Sequence, residues 1–304
     1  MYIGDYLARR ELYSPDKLAF IDAGKNPEWR LTFREANRRA NKLANWLKSQ
    51  GVGKGDRVAI LARDGYEHLD VFFACSKLGA IHTALNWRLH TPKILIYSDD
   101  FKENVTQLVF HFPPFDTTQG RLTTLHLDGD GIEGSLLFES ILQSSPDSPV
   151  TCENLEAEDI AALIFTGGTT GLPKAAQVSH RMIAWNTLNT VIHDVTHNDI
   201  YLNVFPMFHT GGLFVYTLPQ VIFGGTTIFI RQFDPAQVLT LLERERVTIF
   251  AAVPTMYQML TTAPNWESAD LSSLRFCTSG GAPLPVPLVE KYTNEKNIRF
   301  KQGF

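Results

Sequence analysis

The residues best suited to chemistry form one loop, F-T-G-G-T-T-G-L-P-K, from Phe165 to Lys174. Gly167, Gly168 and Gly171 permit positive-φ backbone, so successive N–H groups can point at a single anion. Thr166, Thr169 and Thr170 add hydroxyl donors, and Lys174 adds a mobile positive charge. The apolar run Ile160 to Phe165 reads as a buried strand leading into the loop, and Ser179-His180 opens a helix after it. Strand, flexible polar loop and helix is an arrangement that holds phosphates. The spacing excludes a P-loop NTPase, whose Gly-Lys is followed by Ser or Thr for Mg²⁺. Here Lys174 stands between Pro173 and Ala175. Gly, Thr and Pro also build ordinary surface turns, but a run of this composition directly after a buried strand favours an anion site.

The elements that would position this loop alternate along the chain. Thr32 to Gln50 is the clearest helix: Thr32 and Glu35 form a capping box, Phe33, Ala36, Ala40, Leu43, Ala44 and Leu47 make one apolar face, and Gly51 stops it. Arg57 to Ala62 reads as a strand, Tyr66 to Leu78 as a helix and Ala80 to Leu85 as a strand. Further strands are expected at 160–165, 200–205, 226–230, 248–252, 274–278 and 298–301, with helices at 179–192, 211–218, 235–246, 255–262 and 285–296. Such alternation implies α/β architecture with mostly parallel sheets. The polar stretch Ser144 to Glu158 marks a boundary between subdomains 1–150 and 151–304. Only N-W-R-L-H-T-P-K separates the strand near Leu85 from the apolar run Ile94 to Tyr97, too little for a helical crossover between parallel strands. Either the chain carries a deletion near 90–94 or the local topology differs, and irregular structure or a non-crossover connection is expected around 86–97.

Ligands of open α/β sheets bind beyond the carboxyl ends of the strands. Pro206 to Gly212 (P-M-F-H-T-G-G), Val253-Pro254-Thr255, Thr278 to Pro285 (T-S-G-G-A-P-L-P) and Gln302-Gly303-Phe304 all follow expected strands. With the loop after 160–165 they would converge on one crevice. His209 alone reads as a hydrogen-bonded structural histidine as readily as a functional one.

In order and spacing, from about residue 15 to the end, these motifs closely resemble the adenylate-forming superfamily: acyl-CoA synthetases, luciferase-like enzymes and peptide-synthetase adenylation domains. Two positions depart from the usual signature, Gly167 in place of Ser and Ala175 in place of Gly. The resemblance is greatest to the N-terminal domain of a fatty acyl-CoA ligase. It implies two mostly parallel sheets flanked by helices, cut before the small β-barrel subdomain and the mobile C-terminal domain. By the same resemblance Thr166 to Lys174 would hold the β- and γ-phosphates of ATP, and His209 would line or gate the acyl pocket. Gly280, Gly281 and Ala282 would lie along adenine and the acyl group, and Gln302-Gly303-Phe304 would begin a motif whose aromatic residue stacks on adenine. Arg231 falls near a basic position that can contact the CoA nucleotide, but reads more simply as a solvated surface arginine.

The implied reaction has two halves. A carboxylate attacks the α-phosphorus of ATP to give acyl-AMP and pyrophosphate; the thiolate of CoA then displaces AMP. The first half brings an anion against a polyanion and needs Mg²⁺ and cationic side chains. The resemblance puts the main Mg²⁺ ligand just beyond Phe304 and a catalytic lysine in the C-terminal domain, so no metal ligand is assigned within the chain. Two expectations follow: the N-terminal part of a complete ligase, or a fragment that at most binds nucleotide. The loop Met207 to Leu213 resembles that of acyl-CoA synthetases more than of amino-acid-activating domains, which favours fatty or other hydrophobic acids.

Composition adds bounds. With 28 Lys and Arg against 32 Asp and Glu, the net charge of −4 gives no reason to expect nucleic-acid binding. Cys75, Cys152 and Cys277 are isolated, without a C-x-x-C pair, and read as small buried hydrophobes in a reducing cytoplasm. The N-terminus lacks the apolar core of a secretory signal, and Leu213 to Ile230 is broken by Pro219, Gly224 and Gly225, so no membrane span is expected. A cytoplasmic address is expected, with peripheral membrane contact where the substrate is lipid.

Overall fold

A computed structural model of the chain describes residues 3–85, 92–111, 122–166 and 174–303. The N-terminal third contains α1 (Tyr6–Tyr13), β1 (Leu18–Asp22), β2 (Trp29–Thr32), α2 (Phe33–Ser49), β3 (Arg57–Leu61), α3 (Glu67–Leu78), β4 (Ile81–Ala84), β5 (Ile94–Tyr97) and α4 (Lys102–His111). The middle contains β6 (Thr123–His126), β7 (Leu136–Leu137), α5 (Phe138–Ser144), β8 (Ile160–Thr166), β9 (Lys174–Ser179) and α6 (His180–Thr190). The remainder contains β10 (Ile200–Asn203), α7 (Thr217–Phe223), β11 (Thr226–Phe229), α8 (Pro235–Arg244), β12 (Ile249–Ala252), α9 (Pro254–Leu260), β13 (Phe276–Ser279), α10 (Val286–Lys296) and β14 (Phe300–Gln302). The capping box of α2 is present: Thr32 Oγ1 accepts from the Glu35 N–H at 3.2 Å, and Glu35 accepts from the Thr32 N–H at 2.8 Å.

The strands form two seven-stranded sheets. Sheet A has the order β14-β13-β12-β10-β11-β1-β2, and sheet B the order β7-β6-β5-β3-β4-β8-β9. Each is parallel except for one edge strand, β2 in sheet A and β9 in sheet B. Helices α8, α9 and α10 cover one face of sheet A through Leu239, Leu242, Tyr257 and Tyr292. Helices α2 and α3, with α7 and the turn before it, fill the space between the sheets, where Phe20 and Phe229 of sheet A share a cluster with Ala162 and Ile164 of sheet B. Val105 of α4 packs on the far face of sheet B with Leu95 and Tyr97. The layers therefore run helix, sheet, helix, sheet, helix.

The structure departs from four expectations. First, Lys174 to Ser179 is a strand that was not expected, so the glycine-threonine loop joins an antiparallel hairpin; α6 then opens at Ser179-His180, as expected. The ladder from Ile160–Ser179 to Thr166–Lys174 supplies the backbone partners, a non-local cause invisible in K-A-A-Q-V-S. Second, the sheets do not divide at residue 150: β1 and β2 belong to sheet A with β10 to β14, while β8 and β9 close sheet B. Third, β4 and β5 both pair in parallel with β3, one on each side, so the short connection between them does cross over a strand. The irregular course expected there falls on residues 86–91, outside those described, as does the deletion near 90–94 in its first part. The helix expected at 211–218 is a π-helical turn, Gly211–Val215, followed by α7.

Candidate active site

The carboxyl ends of β10, β12, β13 and β14 are neighbours in sheet A, held in register by the pairs Leu202–Phe250, Ala251–Thr278 and Thr278–Lys301. Four of the five loops singled out in the sequence therefore emerge side by side. The fifth joins β8 to β9 in sheet B; Gly167, Gly168, Thr169, Thr170 and Gly171 fall outside the described residues, as does Phe304. Its flanks are described: Thr166 ends β8, and Lys174, exposed, begins β9 opposite it. Ile164 of β8 shares a core cluster with Met207 and Leu213, which brings the approach to this loop against the loop that carries His209.

The loop after β10 is a knot of short-range hydrogen bonds. Asn203 Oδ1 accepts from the Phe205 N–H at 3.2 Å, and the His209 N–H donates to the Pro206 carbonyl at 3.0 Å. His209 is exposed, and its Nδ1 accepts from the Gly211 N–H at 3.1 Å. A neutral imidazole so held carries its proton on Nε2, leaving that nitrogen as an outward donor.

After β13 the backbone passes through Gly280, Gly281 and Ala282 and returns to Leu284, whose N–H lies 3.4 Å from Gln302 Oε1. The Gly303 N–H donates to the Ser279 carbonyl at 2.8 Å, which ties the ends of β13 and β14 together. Gly281 has φ +79° and is demanded by the turn. Gly280 and Gly303 have no such φ, and among the described residues, chain neighbours aside, an added Cβ would approach no atom closer than 3.8 Å at either. Neither backbone conformation nor packing against the described residues requires glycine there. What a side chain would obstruct is the open side of the crevice, and this fits a flat ligand lying against the strip.

Behind the strip the support is polar. The Tyr257 hydroxyl lies 2.9 Å from the Thr278 carbonyl. Tyr216 Oη lies 2.9 Å from both Thr278 Oγ1 and His193 Nδ1, and Lys301 Nζ donates to the His193 carbonyl at 2.9 Å. Ser279 Oγ is buried without a hydrogen-bond partner. This chain of groups was not singled out in the sequence; its members come from α9, α7's entrance, the turn after α6 and two strands, and no local spacing connects them.

Arg231 corrects a further expectation. It is three-quarters buried and ion-paired, not a solvated arginine. Its guanidinium donates to Asp22 at 3.3 Å, to Glu67 at 3.2 Å and to the Asp64 carbonyl at 2.7 Å, and Lys25 joins the same Glu67. Burial acts to raise Glu67, but the Arg231 and Lys25 charges outweigh it and hold the carboxyl at about 2. Burial dominates at Asp64, whose carboxyl is pushed up to about 6 against the Met207 N–H and Arg231. The signal available in sequence was R-D-G-Y-E, three charges immediately past the strand ending at Leu61.

Among the described residues there is no group of three or more His, Cys, Asp and Glu that could hold a metal ion, and no helix long and apolar enough to cross a membrane. Cys75 and Cys277 are buried, as expected, and Cys152 is partly exposed.

The family model of the AMP-binding enzymes matches residues 7–304. The chain belongs to that family. It is 35% identical to a feruloyl-CoA synthase of Amycolatopsis sp. over 99% of its own length and 58% of the relative's. It is 32% identical to an indoleacetate–CoA ligase of Aromatoleum aromaticum, covering 91% of the chain and 56% of that protein. It is also 32% identical to the long-chain-fatty-acid–CoA ligase FadD13 of Mycobacterium tuberculosis, with 99% and 59% covered. The inhibitor-bound N-terminal domain of FACL13 from M. tuberculosis superposes with a TM-score of 0.86 at 27% identity, covering 100% of this chain and 76% of that one. Thus the relatives are acyl-CoA ligases, the fold is that of the N-terminal domain of fatty acyl-CoA synthetases, and the chain spans less than three-fifths of the length of the curated relatives just named.

Proposed function

We propose that this chain forms the N-terminal, ATP- and acid-binding part of an acid–thiol ligase that converts a hydrophobic carboxylic acid to acyl-AMP and then to acyl-CoA. The observation that carries the reading is the row of adjacent carboxyl ends bearing the His209 loop, the Gly280–Ala282 strip and Gln302-Gly303. An adenine against the strip would meet backbone, not side chains, at Gly280 and Gly303. Thr166 to Lys174 would take the β- and γ-phosphates, Lys174 countering the charge that builds as the carboxylate attacks the α-phosphorus and pyrophosphate leaves. His209 Nε2–H would border the acid. Phe208 and Val215, both exposed, supply apolar surface on this loop and the turn after it, which supports a fatty or aromatic acid. Mg²⁺ would neutralise the phosphates when bound, and CoA would be the second substrate.

ATP–pyrophosphate exchange with a panel of fatty and aryl acids tests the reading. Acid-dependent exchange is expected from the chain within its complete enzyme. Saturable ATP binding with no exchange for any acid would replace it with a nucleotide-binding fragment. His209→Ala is expected to weaken acid-dependent exchange about tenfold or more while changing ATP binding little; equal losses in both would remove His209 from the acid site.

A further inference from the structure

The hydrogen bonds that hold the His209 loop come from within its own sheet, with one exception among those described. The Met207 N–H donates to Asp64 Oδ1 at 2.6 Å, and Asp64 lies just past β3, in the other sheet. The sulfur of the same methionine sits 3.2 Å from Asn203 Nδ2, so residue 207 is gripped on both sides, two positions before His209. The loop has little slack: a Cβ at Gly212 would come within 2.3 Å of the Pro206 carbonyl. Asp64 in turn is steadied by Arg231, which donates to its carbonyl at 2.7 Å. Asp64, Phe208 and Arg231 line one cleft of about 210 Å³ between the strand ends of the two sheets.

We propose that Asp64 is a positioning residue for the acid site: it latches the His209 loop of sheet A to the end of β3 in sheet B and so fixes where the imidazole meets the carboxylate substrate. The proposal deepens the adenylation reading and rests on it. A shift at Met207 is transmitted to His209 because the loop between them is closed by the His209–Pro206 bond, and a displacement of about an ångström at a binding group is enough to cost affinity. A carboxylate acceptor suits the task better than a neutral one, since hydrogen bonds to charged groups are the stronger.

The latch is also set to respond to pH. Burial raises the Asp64 carboxyl to about 6. Arg231 from the end of β11 acts on it directly and links it to Glu67 of α3 and to Asp22 and Lys25 from the end of β1; His68 of α3, His209 of the loop itself and Arg63, which is paired to Asp100 after β5, are the other titratable or charged groups on the elements it joins. A carboxyl whose folded pKa is raised takes up a proton on folding, so acidification through 6 costs no stability at this group. It removes the charge that strengthens the bond to Met207.

Amide hydrogen exchange at Met207 reads the latch directly, and calorimetric binding of a non-hydrolysable acyl-sulfamoyl adenosine, against ATP alone, reads its consequence. Asp64→Ala is expected to lower Met207 protection about tenfold or more and to weaken the acyl-adenylate analogue by a similar factor with little change for ATP. Asp64→Asn, which keeps an acceptor without the charge, is expected to restore each in part. Wild-type protection should fall as pH drops through about 6, and the Asn variant should lose that dependence. Unchanged protection in Asp64→Ala, equal loosening in the Ala and Asn variants, or equal losses for analogue and ATP would each overturn the proposal. A complete enzyme that binds neither probe would instead overturn the adenylation reading, with the exchange data still deciding whether the latch exists.

Discussion

Helices α3 and α6 are near-opposites. Every residue of α3 from Glu67 to Leu78 is buried, including Glu67, His68, Asp70, Ser76 and Lys77. On α6 and the short 3₁₀ turn that extends it, Met182, Trp185, Leu188, Val191 and Ile192 are exposed. Charge is inside on one and apolar surface outside on the other. The difference follows from place in the layers: α3 is enclosed between two sheets, so whatever it carries is desolvated, whereas α6 follows the edge strand β9 and has protein on one side only. Burial of α3 is tolerable because its charges are paired. Asp70 accepts from Arg39 at 2.6 Å, Arg39 also meets Glu139 at 2.7 Å and lies over the Trp29 ring at 4.7 Å, and Lys77 bonds Asp5 and Asn37.

The sharpest way to break this contrast is Arg39→Ala. It strands Asp70 with no cation, and a loss approaching about 3–5 kcal/mol is expected from denaturant melts well above neutral pH. Burial already pushes the Asp70 carboxyl up to about 7 against the pull of Arg39, so the loss should shrink in acid, where the stranded group protonates. Arg39→Leu with Asp70→Leu should recover most of it; no recovery would mean that the packing of Arg39 on Trp29, and not the charge, was the source.

The next effect is pH dependence. His82 is fully buried with both ring nitrogens unpartnered, and burial lowers it to about 3; its neighbour His68 is lowered to about 4. Both are neutral when folded and charge more readily when unfolded, so their contribution is full above pH 6.5 and is lost as pH falls toward 3. Subtracting the stability–pH curve of His82→Leu from that of wild type isolates this term from the opposing carboxyls. The difference should amount to a few kcal/mol across that window, and a flat difference would show that His82 is not held neutral. The smallest effect belongs to α6: Trp185→Ser should change stability by no more than about 0.5 kcal/mol. A loss of several kcal/mol would mean that its face is covered in solution.

How much of this was legible depended on how local the cause was. Helix α2 was readable because Thr32, Glu35 and the apolar spacing lie within one segment. The Gly280–Ala282 turn was readable because its glycines are adjacent. Strand β9 was not, since its ladder partner is β8 and its own residues are exposed and barely patterned. Arg231 read as solvated because Asp22, Asp64 and Glu67 are far away in sequence. Asp64 was missed for the same reason: its partner, the Met207 N–H, is a backbone group of another sheet, and backbone donors leave no trace in a sequence.

The interleaving of the sheets also bears on how the molecule is made. All of sheet B comes from residues 57–179, an uninterrupted stretch, while β1 must wait for β11 to pair, Phe20 meeting Thr227. On a ribosome sheet B can close while β1 and β2 of sheet A still lack β11, the parallel partner of β1. Long-range parallel pairing is slow and leaves strand edges open to wrong partners. The segment 18–32 is thus the stretch of the nascent chain most in need of protection until residue 229 has emerged.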